Sequence, residues 1–214
     1  MRLAVFASGN GTNLEALASA AARGDLGGPL VALLCDVAGA PVIERARRRG
    51  IDVVLPPVGR FRTRLEDEEP WRAELRARRI DVVLLAGFMR RLHATLLEAY
   101  AGRVLNIHPS LLPAFPGLDA IAQAWRHGAR LTGCTVHLVE DALDAGPILA
   151  QTAVDVRDGD TLPALEGRVH EAEHALYPAA VRRFLTEPWR LEGRRVRFGE
   201  GSGLVLPEPE TARG

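Results

Sequence analysis

Asp81-Val82-Val83-Leu84-Leu85-Ala86 lies near the middle of the 214-residue chain. Val82 to Leu85 are all branched aliphatic residues, so successive side chains pointing to opposite faces are apolar on both. That is the pattern of a strand covered on each side, as in a parallel sheet flanked by helices. Upstream, the same kind of short run recurs at Leu3 to Ala7, Leu30 to Cys35 and Asp52 to Leu55. Helical patterns separate these runs. Asn13 to Ala22 repeats apolar residues at 14, 17, 18 and 21, and Pro41 to Arg49 is closed by Gly50. Pro56-Pro57 ends the third run, and Pro70 belongs in the first turn of the next helix. Downstream, a helix over Ala94 to Tyr100 precedes a strand at Arg103 to Ile107.

The pattern changes after Pro109. A proline-rich stretch leads to a short helix from Ala120 to His127. Thr132 to Val139 and Ile148 to Val156 read as strands joined by a turn at Asp144-Ala145-Gly146, too close together for a crossover helix and so antiparallel. A last helix covers Leu162 to Leu185, with Pro178 expected to kink or break it. A small hairpin over Arg190 to Phe198 follows, turning at Glu192-Gly193. The expected architecture is α/β and Rossmann-like, a mostly parallel sheet with helices on both faces and C-terminal antiparallel strands. A single domain spans residues 1–198, and residues 199–214 form a frayed tail.

Composition narrows the chemistry. All 27 basic residues are arginine, balanced by 27 acidic ones. Without lysine there is no Schiff-base, pyridoxal-phosphate or Walker-type nucleotide chemistry. Zero net charge gives no support to nucleic-acid or membrane-surface partners. Cys35 and Cys134 sit in apolar contexts and read as buried reduced thiols. The apolar N-terminal run is too short for a signal peptide, and no run approaches the ~18 residues of a membrane span. A cytoplasmic protein is expected.

Three constellations carry candidate chemistry. Ser8-Gly9-Asn10-Gly11-Thr12-Asn13 joins the first strand to the first helix, where free amides attract an anion. Asp36, ending the second strand, could mimic the ribose-binding acid of a dinucleotide site, but Leu14 stands where that fingerprint needs its third glycine, so a single phosphate is the better guest. The plain alternative is a glycine-rich turn capped by Thr12 or Asn10. Next, His170-Glu171-Ala172-Glu173-His174 spells H-E-x-x-H on a helix, the spacing of a zinc peptidase. No H-x-x-G-x-x-H continuation follows, a third ligand would have to be a residue such as Glu192 in the terminal hairpin, and a solvated helix face explains it more simply. Finally, Asn106-Ile107-His108-Pro109-Ser110-Leu111-Leu112-Pro113 ends a central strand, with Asn106 and His108 on one face. The chain's three asparagines, at 10, 13 and 106, all fall within these loops or beside His108. Asp144 offers a carboxylate from a turn in which aspartate is ordinary. His137, on the preceding strand, serves either to orient an acid or as a core histidine.

Taken with Leu85-Ala86-Gly87-Phe88-Met89-Arg90 and Glu173-His174-Ala175-Leu176-Tyr177-Pro178, these segments resemble the glycinamide ribonucleotide formyltransferase family, in order, from residue 1 to about residue 185. The resemblance implies formyl transfer from the cosubstrate 10-formyltetrahydrofolate to the glycinamide amine in purine biosynthesis, with no metal. It implies Asn106, His108 and Asp144 as catalytic residues, Asp144 favouring the imidazolium form of His108. Gly11, Thr12 and Asn13 would hold the substrate phosphate, and His170, Glu171, Ala172 and Glu173 would meet its ribose and phosphate side. Arg64, Met89, Arg90, Arg91, Leu92, Glu140, Asp141, Ala142 and Leu143, with Asn106 and Asp144, would line the folate site. Arg64 and Arg90 suit the folate's glutamate carboxylates. Partners would be small molecules alone, and the protein a monomer or homodimer.

The chain departs from the family pattern at several points. Asp119 replaces a common histidine and would put a second carboxylate near His108. His170 replaces a common glutamine or lysine, which would make one substrate contact pH-dependent. Ala145 replaces the first glycine of an Asp-Gly-Gly turn, and Asp36-Val37 replaces an asparagine and a basic residue, with no role assigned. Related rivals are formyltetrahydrofolate hydrolase, which usually has an extra N-terminal domain, and methionyl-tRNA formyltransferase, which adds a C-terminal tRNA-binding domain. Distant ones are a zinc peptidase and a nucleotide-binding oxidoreductase.

Overall fold

In the computed structural model, which describes residues 1–199, five parallel strands form one side of the sheet: β1 (Leu3–Ala7), β2 (Leu30–Cys35), β3 (Asp52–Val54), β4 (Val82–Leu85) and β5 (Val104–His108). Their spatial order is β3-β2-β1-β4-β5. The chain winds outward from β1 in one direction and then, beginning with β4, in the other. This reversal opens a crevice at the C-terminal ends of β1 and β4, where α/β sheets bind ligands. Here the amide of Ser8 donates to Gly87 O at 3.1 Å, and Met89 N donates to Ser8 Oγ at 2.8 Å.

Alternation along the strands explains their apolar runs. Leu3, Val5, Val82 and Leu84 pack with α1 (Thr12–Ala22), α2 (Pro41–Arg48) and α6 (Leu162–Thr186), through Leu14, Leu17, Val42, Tyr177 and Val181. Ala4, Phe6, Val83 and Leu85 pack on the opposite face with α3 (Glu69–Ala77) and α4 (Ala94–Ala99), through Trp71, Leu75 and Leu96. Each strand therefore needs two apolar faces, and the helices need one.

Beyond β5 the sheet turns antiparallel. After the short α5 (Ala120–Arg126), β6 (Leu131–Leu138) pairs antiparallel with β5, and β7 (Ile148–Asp155) pairs antiparallel with β6. The terminal hairpin, β8 (Trp189–Glu192) and β9 (Arg195–Phe198), adds to the same sheet, β9 touching β7 in parallel at Ile148 and Arg195. That addition is a long-range pairing with no local signal. The remaining boundaries fall within one or two residues of those read from the sequence.

One expectation is corrected. α6 runs unbroken through Pro178. Proline removes a single backbone hydrogen bond there, while the flanking turns are locked by buried Val169, Tyr177, Val181 and Phe184. Tyr177 adds a hydroxyl contact with the carbonyls of Leu85 and Leu105, at 3.0 and 3.1 Å. Both cysteines are free and buried, and burial pushes the Cys134 thiol up to about 12. Among the described residues no helix is long and apolar enough to cross a membrane. Apart from Gly199, the tail expected to fray lies outside the described residues.

Candidate active site

The β5–β6 register places the central groups. Asn106 lies opposite His137, and His108 opposite Thr135. Laterally paired residues share a face, as do residues two apart on one strand, so all four project to the same side. The intervening Leu105, Ile107, Val136 and Leu138 join the core beneath α6. Asn106 Nδ2 lies 3.1 Å from His137 Nε2, and His137 Nδ1 lies 2.8 Å from the Leu138 carbonyl. Since a carbonyl only accepts, Nδ1 carries the proton and Nε2 accepts from Asn106, an assignment made from the bonding pattern. Burial holds His137 below the ordinary imidazole value, against the opposing pull of the Leu138 carbonyl and Asp144. The neutral ring that the bonding requires is thus the form the site favours.

Asp144 enters from the β6–β7 loop with a left-handed φ of 49°. Its Oδ2 accepts from Gly117 N at 2.8 Å and lies 3.6 Å from His108 Nδ1, while its Oδ1 lies 3.8 Å from His137 Nε2. His108 Nε2 meets the Phe115 carbonyl at 2.9 Å. One nitrogen of His108 thus meets a carbonyl at hydrogen-bond distance and the other faces the Asp144 carboxylate just beyond it. The loop tolerates Ala145 but requires Gly146, because a Cβ there would fall 1.8 Å from the Leu138 carbonyl. The proline-rich stretch after His108 is held by hydrogen bonds: Thr135 Oγ1 donates to Ser110 O at 2.7 Å, and Gln151 Nε2 donates to Leu112 O at 2.9 Å.

A second cluster forms where α1 begins. Gly11 occupies the N-cap with φ 82° and without a side-chain cap, so neither Thr12 nor Asn10 caps this helix. Its first amides stay open toward an anion. Arg45 grips Asn10 by its carbonyl (2.8 Å) and its Oδ1 (3.0 Å). Glu173, buried on α6, accepts from Asn13 Nδ2 at 3.2 Å and meets His170 Nδ1 at 2.9 Å through the same oxygen. That bond raises His170 above the ordinary imidazole value, whereas burial lowers His174. Asn13 Oδ1 and His174 Nε2 are buried without a hydrogen-bond partner. Glu171 is exposed and Ala172 half-buried. Among the described residues no group of three metal-ligating side chains converges, and the H-E-x-x-H segment is tied into the α1 contact instead.

The residues expected to line a folate site divide into two kinds. Met89, Arg64, Arg91 and the loop from Glu140 to Leu143 are exposed. Arg91 NH2 bonds to Asp141 O at 3.0 Å, joining two of these segments. Leu92, in contrast, is buried in the α3–α4 core, and the Arg90 guanidinium is taken up by Asp36 and by main-chain carbonyls. Its Nε and NH1 are thus committed within the protein. Asp119 is exposed at the N-cap of α5 and makes no hydrogen bond or ion pair with His108. Sequence reading missed Thr135, Gln151 and the tie of Asp36 to Arg90. Leu118, Met89 and Leu143 are large apolar side chains left exposed.

Comparison with known proteins identifies the family. The formyl transferase family model matches residues 1–181. The chain is 41% identical over 184 residues to phosphoribosylglycinamide formyltransferase of Bacillus subtilis, covering 86% of this chain and 94% of that one. It is 40% identical to the Escherichia coli protein of the same name, covering 91% of this chain and 89% of that one. The crystal structure of glycinamide ribonucleotide transformylase 1 from Symbiobacterium toebii superposes with a TM-score of 0.88 at 43% identity, over 92% of this chain and 93% of that one. The chain belongs to the phosphoribosylglycinamide formyltransferase family of formyl transferases.

Proposed function

We propose that this protein transfers the formyl group of 10-formyltetrahydrofolate to the amino group of glycinamide ribonucleotide. The observation that carries the reading is the convergence of Asn106, His108 and Asp144 at one end of the sheet, with Asp144 3.6 Å from His108. The substrate amine attacks the formyl carbon, forming a carbon–nitrogen bond and a tetrahedral oxyanion. Asn106 Nδ2 and His108 are donors suited to that charge. Collapse breaks the bond to N10 of the folate, and the proton lost by the attacking amine ends on N10, with His108 and Asp144 the groups suited to relay it. The open amides after Gly11 take the substrate phosphate, and His170 to Glu173 its ribose side. Met89 to Leu92 and Glu140 to Asp144 form the folate side, with Arg64 toward its glutamate. The same reading makes the enzyme cytoplasmic, a monomer or homodimer acting on small molecules without a metal.

The test is an assay with 10-formyltetrahydrofolate and glycinamide ribonucleotide, with water and formyl-acceptor tRNA as alternative acceptors. Formylation of the ribonucleotide at a kcat/KM far above either alternative is expected. Preferential hydrolysis or tRNA formylation would replace this reading with one of its rivals.

A further inference from the structure

Asp36 stands at the end of β2 with its side chain 3% exposed, and its Oδ2 accepts from Arg90 Nε at 2.7 Å. Arg90 is 12% exposed, and a second of its nitrogens reaches main chain. Its NH1 donates to the carbonyl of Phe61 and, at 3.2 Å, to that of Arg64. One guanidinium therefore joins three separate pieces of chain: the end of β2, the loop after β4, and the irregular stretch between β3 and α3. The ends of this stretch are tied elsewhere, Trp71 Nε1 donating to Pro57 O at 2.9 Å and Glu66 N to Val58 O at 3.2 Å, with Leu65 buried in the core, while its middle meets the loop after β4. Arg91 N donates to Thr63 O at 2.9 Å, and Arg64 pairs with Arg91 as an isolated bridge. Arg64 itself is exposed, with its guanidinium carbon 4.2 Å over the Phe61 ring. Arg90 thus holds by its carbonyl the very residue on which Arg64 rests.

We propose that Asp36 and Arg90 are positioning residues for the acidic tail of the formyl donor. Asp36 neutralises and aims the Arg90 guanidinium, Arg90 fixes the Phe61–Arg64 main chain, and Arg64 is thereby presented to a donor carboxylate. This deepens the formyl-transfer reading above and rests on it. The charge is the essential part. A guanidinium this enclosed needs a counter-ion, and without one it turns toward solvent or another acid and releases both carbonyls. Asp36 Oδ1 is buried without a hydrogen-bond partner, so the carboxylate engages Arg90 through Oδ2 alone. The aspartate at position 36, whose departure from the family pattern carried no role, is thus tied to the segment that bears Arg64.

The experiment compares two formyl donors, 10-formyltetrahydrofolate and the corresponding tetrahydropteroate that lacks the glutamate, in the wild type, Asp36→Asn and Arg64→Ala. For the tailed donor, KM should rise roughly tenfold in Asp36→Asn. Its kcat/KM advantage over the tail-less donor should collapse toward that of Arg64→Ala, while KM for the phosphorylated acceptor changes less than about twofold. Arg90→Gln provides a second variant should Asp36→Asn fail to fold, and the same loss of donor preference is expected. A donor ratio unchanged from wild type, or equal losses on both donors, overturns the positioning role while leaving the reaction standing. Wild-type protein that uses neither donor overturns the reading beneath it as well.

Discussion

Asn106 and His137 form a directed pair in which the amide Nδ2 donates to the imidazole Nε2 at 3.1 Å, and the ring's other nitrogen donates to the Leu138 carbonyl. The neutral ring fixes which end of the amide faces the site. His137→Phe keeps much of the buried volume but offers no acceptor, freeing the Asn106 amide to rotate. Its kcat should fall roughly 10- to 100-fold, less than the ~10²–10³ for removing one oxyanion donor outright, with smaller changes in either KM. His137→Gln, which can still accept, should recover part of the loss. A His137→Phe enzyme with wild-type kcat would show that the pair is only packing.

Asp144 faces His108 and simultaneously accepts from Gly117 N. Asparagine at 144 can keep the second contact through its amide oxygen but cannot supply the charge. Asp144→Asn should therefore unfold within a few degrees of the wild type while kcat/KM drops about 10²- to 10⁴-fold, as for loss of an acid–base group. His108→Ala should lose turnover on the same scale with acceptor binding largely retained. Calorimetry alongside steady-state rates separates the two effects; a large fall in Tm with proportionate activity would assign Asp144 to the loop alone.

α6 carries two histidines whose protonation works in opposite directions. Glu173 raises His170, so that contact stabilises the fold fully below the unfolded imidazole value of ~6.5 and fades as pH rises through the higher folded value. Burial lowers His174, which instead costs stability as pH falls below ~6.5. The charged groups around His170 are Glu166 and Glu173, with His174 one turn on and Asn13 reaching Glu173 from α1. The Tm difference between wild type and His170→Gln should be greatest below about pH 6 and shrink at alkaline pH. KM for the phosphorylated acceptor should rise over the same alkaline range in the wild type only. A pH-independent difference would remove the proton from the account.

The parallel half of the fold was legible because each strand must be apolar on both faces, and Leu3–Ala7 and Val82–Leu85 say so directly. Asn106 and His108 were legible as a pair from their spacing on one strand. The role of His137 was not, since its bond to Asn106 depends on β5–β6 register across 31 residues. Arg90 misled for a related reason. Its residue type fits a carboxylate ligand, and nothing local shows that Asp36, 54 residues earlier, already supplies one. A break at Pro178 does not occur, because the buried face on either side of it holds α6 as one helix.

Gly11 ties the phosphate loop to the fold by what it lacks. Its φ of 82° disfavours any side chain, and a Cβ would sit 2.5 Å from Val42 Cγ2 and 2.9 Å from the Val42 backbone. Val42 cannot simply withdraw, because its own amide donates to Gly9 O at 3.1 Å and so moves with the same loop. Gly11→Ala should lose about 1–2 kcal/mol from the left-handed backbone alone and about 1–3 kcal/mol more from overpacking. Because the displaced amides are those that open α1, KM for the phosphorylated acceptor should rise with the instability. Val42→Ala removes the clash with Cγ2 but leaves the left-handed φ and the crowding against the residue 42 backbone in place. The double variant should therefore recover part of the stability of Gly11→Ala and leave the rest, a coupling that denaturant titration of the four proteins measures. Purely additive losses would mean that the loop yields without pressing on Val42.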